Sequence, residues 1–363
     1  MANSPDVVIL GGGVIGLTTA YSLARADVRV QLLDQSDFGQ EASWAGAGIL
    51  PPGNPHPSKT PFDQLRAQSV SLFPKLSEDL KTLTGIDNGY LRSGGLEFAG
   101  AHADAAVDEW RGEGIEVQRL TAQEVRVAEP AVAQDIGEAY FLPGMAQVRN
   151  PWHLRALVEA CKALHVDLRP HQGVLGLLRQ GERIAAVRTA AGDIAADTVV
   201  VAAGAWTDQL LAAVGCRLGI EPVRGQIVLL HPDTPLLRHI LLSRTRYMVP
   251  RGDGRILIGS TEEHAGFDKR TTAAGVQGLL ELATRLVPAL AQAPVEKCWA
   301  GLRPGSRDGL PYIGRVAGCP NLIVAAGHFR AGIQLSPGTA LMVKEMILGE
   351  PPTIPLEAFR VGR

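Results

Sequence analysis

The chain has 363 residues, 46% hydrophobic and 20% charged, which suits a soluble globular enzyme with room for two lobes. Its 35 Lys and Arg against 37 Asp and Glu leave no basic surplus to collect on a phosphate backbone, so nucleic acid is not an expected partner. No apolar run approaches the roughly 20 residues that span a bilayer, and "MANSPD" lacks the basic start of a leader. Cys161, Cys216, Cys298 and Cys319 form no C-x-x-C pair, which fits a reducing compartment; a cytoplasmic location and no membrane or metal partner are expected.

The first informative stretch runs from Val7 to Asp34. Val7 to Leu10 read as a buried parallel strand, Leu17 to Arg25 as a helix with Ala20, Leu23 and Ala24 toward the sheet, and "VRVQLL" as a second strand. Between them Gly11, Gly13 and Gly16 fit G-x-G-x-x-G. The first glycine permits the tight turn, the second lets backbone N–H groups approach a pyrophosphate, and the third seats the helix close to the strand. Asp34 follows at the distance where a carboxylate accepts a ribose 2′-OH, and it disfavours a 2′-phosphate.

From Gly39 to Gly48 the chain is dense in Gly, Ala and Ser, which allows a backbone to lie close to a flat ligand. "PPGNPHPSKTP" reads as an extended surface loop, "GGLEFAG" as a strand, and Ala103 to Glu113 as a polar helix. "TVVVAAGAW" and, much later, "NLIVAAGHF" look like central parallel strands ending in glycine. Between these lie strand-like "GQIVLL", "RYMVP" and "RILIGS", then a helix over Ala273 to Leu286; a last helix is expected near Gly338 to Leu348. Because the fingerprint opens the chain and the closing strand lies near its end, the nucleotide domain is discontinuous, which favours FAD over NAD. Arg303, in "CWAGLRPGSRDGLPYIG", stands among Gly, Pro and apolar residues; its charge needs either a structural acid such as Asp308 or an anion brought by a substrate.

Taken in order, "VVILGGGVIG", "SWAGAGIL", "VVAAGAWT", "RYMVPRGDGRILIGSTEE", "CWAGLRPGSRDGLPYIG" and "AAGHFRAGI" resemble the D-amino-acid oxidase-like flavoproteins, and among them the glycine oxidases of the thiamine pathway. The resemblance covers essentially the whole chain. It implies an α/β flavoprotein with a Rossmann-like FAD-binding domain (1–85, 146–222 and 295–363) and an α+β substrate domain with an antiparallel sheet (86–145 and 223–294). It also implies non-covalent FAD, oxidation of glycine, sarcosine or a small D-amino acid with oxygen as acceptor, and a homo-oligomer, dimer or tetramer. Two alternatives remain: a dehydrogenase serving a quinone-type acceptor, and a non-catalytic flavin-binding or RNA-modification module.

The same resemblance assigns residues. Arg303, Tyr247 and Arg330 are the expected substrate-orienting and catalytic set, with Glu262 a further substrate contact. Cofactor contacts are expected from Gly11, Gly13, Val14, Ile15, Gly16, Asp34, Ser43, Ala45, Gly46, Ala47 and Gly48. Further along they are expected from Val174, Ala203, Gly204, Trp206, Gly301, Arg303, His328, Arg330, Gly332 and Ile333. Arg246 and Arg251 read as solvated or supporting, and His328 as a hydrogen-bonded structural histidine beside the flavin. Glu262 and Glu263 depart from an apolar position in a family member: either carboxylate could meet the substrate amine or cap the following loop. Cys298 reads as an inert thiol, the alternative being a flavin-linked cysteine.

Overall fold

The computed structural model describes residues 5–363. Its first sheet has six strands, in the order Tyr312–Val316, Cys319–Ala326, Thr198–Val201, Val7–Leu10, Val30–Leu33 and Asp167–Arg169. Val7–Leu10 runs parallel to both neighbours, in register with Thr198–Val201 and Val30–Leu33. Two faces must then be covered, which is why the run is apolar throughout. Val7 and Ile9 enter a core built with helices Val14–Ala24, Pro61–Thr84, Asn150–Ala163 and Gly332–Leu348. Val8 and Leu10 face a small antiparallel sheet of Val174–Gln180, Arg183–Thr189 and Gly192–Ala195.

The closing helix starts at Gly332, six residues ahead of the expected Gly338, and carries Pro337 in its second turn. Proline donates no bond to the carbonyl four residues back. Here that carbonyl, on Ile333, accepts the Ser336 hydroxyl at 3.0 Å instead, so the helix passes through.

The second sheet has eight strands: Val295–Gly305, Glu221–Leu230, Ile256–Gly259, Arg246–Pro250, Ile240–Ser243, Gly95–Phe98, Ala139–Leu142 and Gln118–Leu120. All its pairs are antiparallel except Ile240–Ser243 with Gly95–Phe98. Helix Ala273–Leu286 lays Leu279, Leu282, Ala283 and Leu286 on one face. Val295–Gly305 pairs along its length with Glu221–Leu230. We propose on that ground that both strands belong to the substrate lobe, moving the expected boundaries at 222/223 and 294/295.

One residue in this sheet is out of keeping with its surroundings. Glu97 stands across from Leu242 and Tyr140, is 7% exposed, and its Oε1 has no hydrogen-bond partner. Burial pushes its carboxyl up to about 7. The folded state therefore keeps a proton that the unfolded chain releases from pH 4.5 upward, and stability is lost as pH rises toward about 7. Glu97→Gln should gain on the order of 3 kcal/mol at pH 8 and little at pH 5. Thermal melts at the two pH values check this; an equal gain at both would refute it.

Candidate active site

A cavity of about 570 Å³ lies between the two sheets. It runs from Asp34 and Gln35 past Gly11, Gly13, Val14 and Ile15 to Tyr247, Arg303 and Arg330.

Its floor is the glycine turn. Gly11 has φ +108°, and a Cβ there would lie 2.4 Å from the Ala202 carbonyl oxygen, so no other residue fits. The helix that follows has no acid in its first turn and no cap from its own N-cap residue, Gly13, so its positive end favours an anion from outside. The Val14 N–H donates to Ser43 Oγ at 2.9 Å, tying turn to wall. Asp34 accepts the Gly12 N–H at 2.7 Å and the Ser36 N–H at 2.9 Å, so its carboxylate is fixed at the cavity edge.

Gly16, expected as a cofactor contact, does not line the cavity. A Cβ on it would sit 1.9 Å from the Gly11 carbonyl oxygen, so its task is the close seating of helix on turn. The other expected cofactor positions do line it: Ser43, Ala45, Gly46, Ala47, Gly48, Val174, Ala203, Gly204, Trp206, Gly301, His328, Gly332 and Ile333. His328 is buried, bonds Thr339 Oγ1 at 2.9 Å, and is pushed down to about 3 by burial, so it is neutral.

The small-residue wall is held from the second lobe. Arg251 donates to the Ala47 carbonyl at 2.7 Å, to Gln147 Oε1 at 2.8 Å and to the Val148 carbonyl at 3.1 Å. Burial brings that guanidinium down to about 10. Trp299 Nε1 donates to the Ala45 carbonyl at 3.1 Å. Farther along, Lys269 pairs with Glu41 at 2.9 Å and Phe267 packs on Trp206 with centroids 5.4 Å apart. The segment between the second sheet and its helix thus crosses onto the nucleotide lobe.

At the far end, Arg303 donates to Ser260 Oγ and, at 3.2 Å, to the Thr261 carbonyl. Among the described residues no carboxylate lies within ion-pairing distance of it. Asp308 is taken by Arg363 at 2.7 Å, which removes the structural alternative for Arg303. Burial pulls the Arg303 guanidinium below its ordinary range; neighbouring Tyr247 and Glu262 oppose that, while Arg330 adds to it.

Two glycines that the motif reading passed over make room for this pair. A Cβ on Gly225 would lie 2.1 Å from Arg303 Nη2, and one on Gly259 would lie 2.6 Å from the Tyr247 hydroxyl. Both stand in strand-like runs, where glycine is a signal for close approach. Arg330 donates to the Thr245 carbonyl at 2.7 Å and lies 3.7 Å from Glu262. Glu262 does not line this cavity; it borders an adjoining pocket that shares Ser260 with it. Its carboxylate lies beside Arg330 and near enough to Arg303 for its charge to act on that guanidinium. Glu263 binds Arg224 at 2.9 Å and Gln226 at 2.7 Å and serves the fold. Cys298 packs against the substrate-lobe core, away from the cavity, and burial raises its thiol pKa.

A doubly covered parallel sheet, an uncapped helix over a glycine turn and a long cavity define a dinucleotide-binding protein with a second lobe over the far end of its ligand. The chain matches the family described as FAD dependent oxidoreductase over residues 6–346, and it belongs to that family. It is 39% identical to the glycine oxidase of Pseudomonas putida over 355 residues, 97% of this chain and 96% of that one. The crystal structure of glycine oxidase from Geobacillus kaustophilus superposes with a TM-score of 0.93 at 36% identity, covering 100% of this chain and 99% of that one. An iminodiacetate oxidase from Chelativorans sp. superposes at 0.87 with 29% identity, covering 98% of each chain. FAD is the cofactor, and the uncapped helix end, the Gly11 turn and the edge carboxylate of Asp34 fit its pyrophosphate and ribose.

Proposed function

We propose that the chain oxidises glycine, sarcosine or a small D-amino acid to the imine, which hydrolyses to oxo acid and ammonia or amine, with oxygen reduced to hydrogen peroxide. The observation that carries this reading is the desolvated Arg303 guanidinium at the cavity end, bound only by neutral acceptors. Such a group calls for an anion, and a carboxylate takes both prongs of its fork. Tyr247 adds a hydroxyl to the same carboxylate, and Arg330 flanks it.

FAD supplies the two-electron acceptor for the hydride leaving the substrate Cα. The protein's part is orientation: holding the carboxylate turns the Cα–H toward the ring. Among the described residues no free carboxylate or imidazole lines the cavity. Its two carboxylates, Asp34 and Glu41, are engaged with Gly12 and Ser36 and with Lys269, and His328 is bonded to Thr339. The amine must therefore enter or become neutral through solvent, its lone pair driving imine formation. Gly11, Gly13 and Val14 are the proposed pyrophosphate cradle and Asp34 the ribose partner.

Adding glycine, sarcosine, D-alanine and D-proline separately without oxygen should bleach the visible flavin band for at least one of them. Air should then restore the colour with one peroxide per turnover. Bleaching that air does not reverse would favour a dehydrogenase, and a band that none of the four touches would overturn the substrate class.

A further inference from the structure

We propose that Glu262 makes the site selective for substrates with a single carboxylate, by occupying Arg330 from outside the cavity. This rests on Arg303 being the anchor for the substrate carboxylate.

Two guanidinium groups, Arg303 and Arg330, line the substrate end. Arg303 is withdrawn from solvent and is held by Ser260, the Thr261 carbonyl and neighbouring Tyr247, all neutral. Arg330 is fixed through Nη2 on the Thr245 carbonyl, and its Nη1 faces Glu262 at 3.7 Å. The neighbouring acids are used elsewhere: Glu263 by Arg224 and Gln226, Asp268 by Arg224 and Arg270. Nor does Arg246 compete, since it donates to the Gly278 carbonyl. Within the site, two positive charges and one negative leave a net of one positive. One carboxylate neutralises it.

A dicarboxylate amino acid brings a second anion, and the cation that shares the substrate end with Arg303 is Arg330. To reach it the second carboxylate must approach Glu262 and displace it. Specificity then comes from a repulsive element placed against the wrong ligand. The Arg330–Glu262 pair is long, with side chains 36% and 48% exposed, so the barrier is modest. The fold admits diacids: the structurally similar iminodiacetate oxidase is, by its name, an oxidase of one.

The experiment compares wild type, Glu262→Gln and Glu262→Gln/Arg330→Gln. For each, kcat/KM is measured with glycine and with iminodiacetate. Dissociation constants of methoxyacetate and oxydiacetate, which cannot be oxidised at an amine, are read from perturbation of the flavin spectrum. Glu262→Gln should raise the iminodiacetate-to-glycine ratio about two- to fivefold and tighten oxydiacetate relative to methoxyacetate by a similar factor. The double variant should lose both gains. Unmoved ratios in Glu262→Gln, or gains that survive loss of Arg330, would overturn the proposal. If neither glycine nor methoxyacetate affects the wild-type flavin, the carboxylate reading of Arg303 fails and this proposal fails with it, a result distinct from unmoved ratios.

Discussion

Arg303→Lys should lower kcat/KM for the preferred amino acid by roughly 10²–10⁴-fold while the protein still folds and carries FAD, the loss expected when a desolvated pair worth about 3–5 kcal/mol is broken. Lysine keeps the charge, yet it offers a compact ammonium in place of two parallel donors. In this site the second prong matters twice. The guanidinium spans Ser260 Oγ and the Thr261 carbonyl, which set its plane, and the same plane has to meet the substrate carboxylate. An ammonium has three donors, but they sit on one atom of a shorter side chain, with no plane to carry the orientation set by Ser260 and Thr261 to the substrate. Both KM and kcat should suffer, because orientation of the Cα–H depends on the carboxylate being held at two points. The flavin-to-protein absorbance ratio reports cofactor loading, and steady-state kinetics with glycine or D-alanine reports the rest. Turnover within a few-fold of wild type would remove Arg303 from the mechanism.

What the sequence disclosed about this site follows from how local each constraint is. Gly11, Gly13 and Asp34 could be read directly, because a tight turn and an acid at the next strand end are set within one strand–helix–strand unit. Gly16 was grouped with the ligand contacts since the motif spans it, although its clash partner is the Gly11 carbonyl and not the cavity. Arg251 and Trp299 left no such signal. They reach Ala47 and Ala45 across 204 and 254 residues of chain, and nothing near them in sequence names those carbonyls. Adjacent Glu262 and Glu263 could not be told apart for a related reason. The isolated bridge between Arg224 and Glu263 turns the second glutamate onto Arg224 and Gln226, leaving the first facing Arg330. The pairing of Val295–Gly305 with Glu221–Leu230 was equally opaque, since it is a property of the sheet and not of either segment.

Gly225→Ala should reproduce much of the Arg303 defect, about 10²-fold in kcat/KM, although no side chain proposed to meet the substrate is replaced. The glycine lies in a strand, paired with Gly301, with no positive φ, so alanine is acceptable to the backbone and the variant should fold. Its new methyl would fall 2.1 Å from Arg303 Nη2 and 2.5 Å from Nη1, far inside contact distance. The guanidinium is the movable partner, being the end of a long side chain. It must swing off Ser260 and Thr261 by an ångström or more, and displacement on that scale costs about 10²-fold in a site that works by orientation. Gly176→Ala is the matching control: it too lies in a strand, and a Cβ there meets nothing within 4 Å. Methoxyacetate binding, followed through the flavin spectrum, separates a displaced Arg303 from general damage, since weakened binding with normal FAD loading and an unchanged melting temperature locates the fault at the carboxylate anchor. If Gly225→Ala binds methoxyacetate as wild type does, the space left by this glycine is not what positions Arg303.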